Sequence, residues 1–142
     1  MALLGKAVRG KAPPGPVKEI PVRYEGVDLG RVAEHNRITV EQVVKYHTAP
    51  WYKVYLLGFA PGFPYLGELH HKLVTPRLER PRPRVEAGSV AIGGEQTGIY
   101  SVASPGGWNI IGRTEIRIFD PALSNEDSFF LKQGDRVRFT AV

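Results

Sequence analysis

Between Trp51 and Pro121, every apolar run is cut short by glycine or proline before it reaches helical length. That punctuation constrains the fold more than any other feature. A helix interior is penalised by about 1 kcal/mol at glycine and about 3 kcal/mol at proline, whereas short branched and aromatic runs between turns suit strands. The densest stretch is Gly58-Phe59-Ala60-Pro61-Gly62-Phe63-Pro64-Tyr65-Leu66-Gly67. Pro61-Gly62 is a type II turn signal, since proline presets one position and glycine takes positive φ at the next. Phe59, Phe63 and Tyr65 then present aromatic faces on a stiff loop. Strands are expected at 51–59, 89–92, 98–102, 108–111, 115–119 and 135–139, the last fed by the turn Gln133-Gly134-Asp135. Short strands at regular spacing indicate a closed barrel rather than a sandwich.

The N-terminal part reads differently. Residues 1–17 have no hydrophobic period and are rich in glycine and proline, so they are expected to be a flexible leader or linker, leaving 18–142 as one domain. Ile20, Val22 and Tyr24 alternate onto one face of a strand, with Pro21 marking an edge position. Asp28 can cap a first short helix that buries Leu29, Val32 and Ala33. Thr39-Val40-Glu41-Gln42 is a capping box opening a second helix, with Val40, Val43, Val44 and His47 at helical spacing. Two helices joined by a tight break also resemble a helix-turn-helix. A DNA-reading helix needs exposed polar side chains at its N-terminal end, and three of the first five positions here are valine, which favours a helical pair packed on a barrel.

A length of 142 residues suits one domain, and the absence of cysteine excludes disulfides, thiolate metal sites and a cysteine nucleophile. No stretch approaches the ~18 apolar residues of a membrane span. With no secretory signal either, the cytoplasm is the expected location. The net charge of +5 is concentrated in Arg77-Leu78-Glu79-Arg80-Pro81-Arg82-Pro83-Arg84. Proline holds such a segment extended. It reads as a solvated rigid loop, as a binder of anionic ligands or partner carboxylates, or as a nucleic-acid contact. The last is disfavoured because no aromatic residues interleave with the arginines.

Two further motifs carry glycines that permit close backbone approach to a ligand: Gly93-Gly94-Glu95-Gln96-Thr97-Gly98-Ile99-Tyr100 and Ser104-Pro105-Gly106-Gly107-Trp108-Asn109-Ile110-Ile111-Gly112-Arg113-Thr114. Together with His47-Thr48, Tyr52, the 58–67 segment, Thr75-Pro76-Arg77 and Pro81 through Gly88, they resemble the allophanate hydrolase subunit 1 family. Its relatives include the B subunit of bacterial 5-oxoprolinase, the sporulation kinase inhibitor KipI and a domain of urea carboxylase. The resemblance runs from about Ile20 to Phe139. It implies a mainly β fold, a cyclophilin-like closed β-barrel with two short helices near the N-terminus. Family members usually carry a further N-terminal domain that this sequence does not match, which suggests a truncated or reinitiated product, or a separately encoded domain.

The resemblance implies a non-autonomous subunit of an ATP-dependent 5-oxoprolinase-type lactam hydrolase, inactive alone. Its implied partners are a paralogous barrel-like protein (resembling the 5-oxoprolinase C subunit or KipA) and a protein like the 5-oxoprolinase A subunit. The alternatives are a KipI-like module inhibiting a histidine kinase and a urea carboxylase or allophanate hydrolase-associated domain. In the hydrolase reading His47 is the candidate general base or hydrogen-bond donor, or else a helix-end histidine capping carbonyls. Arg77 would grip phosphate or carboxylate and Gln96 the amide, making these three the catalytic candidates. Phe59, Phe63, Pro64, Tyr65, Thr97, Tyr100, Ser104, Gly106, Gly107, Trp108 and Arg113 are the substrate- or partner-binding candidates. The bland alternatives are ion pairs of Arg77 with Glu79 and of Arg113 with Glu115. Ser104 lacks a nucleophile elbow, no Walker loop is present, and the adjacent His70-His71 have no third ligand at metal spacing, so no metal is expected on this chain. A barrel of this type carries no isomerase chemistry by fold alone.

Overall fold

The computed structural model describes residues 17–57, 64–120, 122 and 129–142. The proposed leader, apart from Val17, lies outside them, as do Phe59 and Phe63. Strand β1 (Val17–Val22) alternates as expected, burying Ile20 and Val22. It pairs in parallel with β9 (Arg136–Ala141), which buries Val137 and Phe139. The seven-stranded sheet runs β1-β9-β2-β3-β6-β5-β8, with β2 Tyr52–Leu57, β3 Pro64–Gly67, β5 Ser89–Gly93, β6 Gln96–Ile99 and β8 Asn109–Arg113. Pro21 therefore lies on an edge strand, where its missing N–H costs no ladder bond.

The two edges meet just past β1. Arg23 and Arg113 exchange both backbone hydrogen bonds, at 2.9 and 3.0 Å, and the Gly26 amide donates to the Ile111 carbonyl at 3.1 Å. A Cβ on Gly26 would strike the Ile110 carbonyl, so closure of the barrel depends on glycine there. The main core inside the barrel gathers Ile20, Val54, Leu66, Leu73, Val90, Ile92, Ile99, Ile111, Val137 and Phe139.

Helices α1 (Leu29–Asn36) and α2 (Val40–Thr48) pack on β8 and β9 respectively. The expected apolar face of α1 is seen, with Leu29, Val32 and Ala33 buried. The capping box of α2 is complete: the Gln42 amide donates to Thr39 Oγ1 at 3.1 Å and the Thr39 amide to Gln42 Oε1 at 2.9 Å. Asp28 does sit at the N-cap of α1, but its side chain makes no capping bond. No helix among the described residues is long and apolar enough to cross a membrane.

A second layer lies on the outer face of the barrel. Strands β4 (Arg82–Val85) and β7 (Ser104–Gly106) pair antiparallel and cover Ala91, Tyr100 and Trp108, which form a smaller core with Val85. This explains why all five residues of β5 are buried: Val90 and Ile92 face the main core while Ala91 faces the second. Three short strands, β3, β4 and β7, arise where turns or extended loops were expected. Conversely, Glu115–Phe119 is not a strand. Ile118 is buried and Ile116 half-buried, but the Ile116 amide is taken by Thr114 Oγ1 at 3.1 Å and only Phe119 reaches a bridge, to Phe129. Alternation reported which side chains face inward; a ladder partner was still required.

Candidate functional site

The Arg-Pro segment reaches the barrel through four anchors. Thr75 and Gly94 exchange backbone bonds at 3.3 and 2.8 Å. The buried Asn109 amide donates to the Pro76 and Ile92 carbonyls, each at 3.0 Å, and its oxygen accepts from Arg31 Nε at 2.8 Å. The Leu78 amide donates to the Gly107 carbonyl at 2.7 Å. Finally Arg82 forks onto the buried Asp28 carboxylate at 2.7 and 2.8 Å, and Asp28 Oδ2 also accepts from the Ile110 amide at 2.8 Å. The solvated-loop reading of the arginine cluster is thus corrected for Arg82, which is half of a bidentate pair in strand β4. Arg84 pairs with Glu86 at 2.9 Å on the surface, where such a bond contributes little.

These anchors bring the Arg-Pro segment and both glycine-rich motifs to one pocket of about 380 Å³, lined by Arg77, Leu78, Pro81, Tyr100, Gly106, Gly107 and Trp108. That volume suits a small ligand. The exposed Arg77 forms no ion pair with Glu79; its guanidinium lies 5.6 Å from the Trp108 ring centroid, a cation–π arrangement that leaves its fork available. Tyr65, at 5.9 Å from Trp108, extends the aromatic wall. Burial raises the Tyr100 hydroxyl pKa, opposed by a Trp108 backbone hydrogen bond and by the Arg77 and Arg82 charges. The wall depends on Gly93, because a Cβ there would stand 2.6 Å from the indole. Gly93→Ala should therefore displace Trp108, lowering stability by about 1–3 kcal/mol and altering the tryptophan emission spectrum.

The structure does not bring His47 or Gln96 to this pocket. His47 is fully buried in the barrel, its ring stacked on Phe139 at 4.4 Å. Thr97 Oγ1 donates to the Ala91 carbonyl at 2.8 Å, so it must accept from His47 Nε2–H at 2.9 Å. Nδ1 then accepts from the Tyr24 hydroxyl at 2.6 Å. Both nitrogens are engaged inside the protein, and burial lowers the pKa from 6.5 to about 3, holding the ring neutral. The helix-end capping role is likewise not what the side chain does, although the His47 carbonyl accepts from the Tyr52 hydroxyl at 2.9 Å. Thr97 belongs to this internal network.

Gln96 lines a different pocket, of about 420 Å³, with Tyr55, Glu68, His71 and Glu95. Arg113 lies at a third cavity of about 320 Å³ with Ser101 and Thr114, and forms no ion pair with Glu115 among the described residues. Pro64 is buried at the start of β3, and the Ser104 hydroxyl donates to the Val102 carbonyl at 3.3 Å. Asp28, Arg31, Arg82 and Asn109, which hold the pocket together, were not foreseen from the sequence. Asp28 carried a signal, an N-cap acid, that named the wrong partner for its charge. No group of three or more acidic or histidine side chains able to hold a metal occurs among the described residues.

The family described as carboxyltransferase domain, subdomain C and D, matches residues 2–131. The chain belongs to this family. Among carboxyltransferase C/D relatives, the 5-oxoprolinase B subunit of Escherichia coli O157:H7 is 52% identical over 124 residues, covering 85% of this chain and 56% of the relative. That of Bacillus subtilis (strain 168) is 44% identical over 129 residues, covering 89% and 53%. The chain thus spans about half the length of the curated relatives it matches. A conserved uncharacterized protein from Pyrococcus horikoshii superposes with a TM-score of 0.83 at 46% identity, covering 89% of this chain and 59% of that one. Urea carboxylase of Kluyveromyces lactis, at 20% identity and a TM-score of 0.71 over 92% of this chain and 14% of that one, shares the fold. The expected family and the mainly β barrel with two helices are both borne out.

Proposed function

We propose that this carboxyltransferase C/D barrel is part of a non-autonomous subunit of an ATP-dependent 5-oxoprolinase-type lactam hydrolase, inactive alone. One observation carries the reading. In a chain 52% identical to a 5-oxoprolinase B subunit, Arg77, Tyr100, Gly106, Gly107 and Trp108 converge on one small-ligand pocket from motifs that are apart in sequence. Lactam opening requires a group that holds the anionic part of the substrate, a wall that excludes water, and a water-activating base. Arg77 supplies the first, as a fork for carboxylate or phosphoryl oxygens, and the indole supplies the second. The buried, neutral His47 is no candidate for the third, and no carboxylate or other histidine is among the described residues lining this pocket, so the base comes from a partner polypeptide in this reading. ATP belongs to the complex: Arg77 and Arg113 are the chain's candidate phosphate grips, and they sit at separate cavities.

Reconstitution tests this. The chain alone should show no ATP-dependent hydrolysis of 5-oxoproline, and addition of polypeptides like the 5-oxoprolinase A and C subunits should restore it. Arg77→Ala should reduce the restored rate by about 50-fold or more without preventing association, the loss expected for a charge-assisted contact of roughly 2–3 kcal/mol. Turnover by this polypeptide alone would sink the subunit reading. The kinase-inhibitor reading rests on the aromatic loop carrying Phe63 and Tyr65; Phe63 lies outside the described residues, and Tyr65 is half-buried beside Trp108.

A further inference from the structure

The outer surface of the barrel is unevenly covered. On the β6-β5-β8 side the β4–β7 layer buries Ala91, Tyr100 and Trp108. On the β1-β9-β2 side the outward residues of β1 and β2, among them Val17, Glu19, Lys53 and Tyr55, are exposed, while Arg136 and Arg138 of β9 are half-buried. Val17 is 41% exposed, Trp51 46% and Tyr55 39%, three of the six large hydrophobic side chains exposed among the described residues. Register brings cations into the same patch: Val17, Arg136 and Lys53 lie side by side across β1, β9 and β2, and Glu19 pairs with Arg138. Three positive groups thus face a single carboxylate on these strands.

The cations are held in place. The Arg136 guanidinium lies 4.0 Å above the Trp51 ring, and Lys53 Nζ lies 5.6 Å from the Tyr55 ring centroid. Arg138 donates to the Ala49 carbonyl at 3.0 Å. A face of this kind has the composition of an interface centre, with tryptophan, tyrosine and arginine, and its side chains are already ordered before anything binds. Lone exposed apolar residues need no explanation, but aromatics clustered with fixed cations do. Tyr55 also lines the pocket that contains Gln96, so a protein seated on this face would extend one wall of that pocket.

We propose that the outer face of β1, β9 and β2 docks a partner polypeptide presenting carboxylates around an apolar side chain, the carboxylates meeting Lys53, Arg136 and Arg138 and the apolar group packing on Trp51 and Tyr55. Charge complementarity selects this occupant. A basic face disfavours a second copy of a chain whose own net charge is +5. The identity of the partner as a hydrolase component rests on the function proposed above.

The test is titration calorimetry of this chain against polypeptides like the 5-oxoprolinase A and C subunits, singly and together, with thermal melts to confirm folding. Lys53→Glu combined with Arg136→Glu should weaken association about 10-fold or more, and rising salt should weaken the wild-type association. Trp51→Ala, which carries no charge change, should also weaken it, so the proposal remains testable if the double reversal disturbs folding. Arg77→Ala should associate normally. Wild-type association that neither the double reversal nor Trp51→Ala alters would overturn the docking face and leave the proposed function intact. Failure of the wild-type chain to associate with either polypeptide would overturn both. Self-association through this face, or selective binding of single-stranded oligonucleotide by Trp51 and Arg136, would overturn the acidic-partner assignment.

Discussion

Replacing His47 with alanine should lower the thermal unfolding midpoint by on the order of 10 °C or more, a larger loss than from any surface substitution in this chain. The imidazole is completely buried, stacks on Phe139, and satisfies both the Tyr24 hydroxyl and the Thr97 hydroxyl. Alanine leaves a cavity and removes partners from both hydroxyls, a combined cost of about 3–5 kcal/mol. For a domain of this size each kcal/mol moves the midpoint by roughly 3–5 °C. The same residue makes stability pH-dependent. Its pKa falls from 6.5 in the unfolded chain to about 3 when folded, so between those values the unfolded state binds more protons. The contribution is fully present above about pH 6.5 and is lost as pH falls toward 3, at on the order of 1 kcal/mol per pH unit. Denaturant titrations across that window should show the slope, and His47→Asn should flatten it. An unchanged slope in the variant would assign the acid sensitivity elsewhere.

Asp28→Ala is expected to detach the second layer from the barrel. The carboxylate side chain is 7% exposed and accepts the Arg82 fork and the Ile110 amide together, so one substitution releases β4 and frees the Ile110 amide, while the Asp28 amide still donates to the Ile110 carbonyl at 2.8 Å. Breaking a fully buried pair costs about 3–5 kcal/mol, but Arg82 is 31% exposed and can regain water, which brings the expected loss to about 2–4 kcal/mol. Asp28→Asn, which keeps the shape and loses the charge, should lie between. Hydrogen exchange should show the amides of β4 and β7 losing protection well before those of β5 and β6. A melting point within about 1 °C of wild type would mean that the pair stabilises little and that apolar burial holds the layer on.

Much of the secondary structure was legible locally. The Thr39–Gln42 capping box, the inward faces of β1 and α1, and the edge position of Pro21 each follow from residues within a few positions of one another. β3, β4 and β7 were not, because such short strands beginning at proline, arginine or serine lack the branched, alternating run that marks a strand. The site was legible in composition and obscure in grouping. Arg77, Tyr100, Gly106, Gly107 and Trp108 do share a pocket, while Gln96, Arg113 and His47 are distributed over a second pocket, a third cavity and the core.

The Gly/Pro punctuation and the alternation between those breaks were enough to specify short strands and a barrel, because turn chemistry and side-chain period are properties of neighbouring residues; the family came from the resemblance of whole motifs. That Asp28 begins a helix is local information of the same kind. Where the Asp28 charge goes is not. Its partner lies 54 positions away, and the two meet because the closed barrel, joined at Arg23–Arg113, carries β4 across its outer face. His47 illustrates the same division. Helical spacing placed it on the inward face of α2, but its neutral state was set by burial and by hydroxyls from two other parts of the chain. Desolvation and long-range hydrogen bonds depend on what packs against a residue, and that information is created only when distant segments meet.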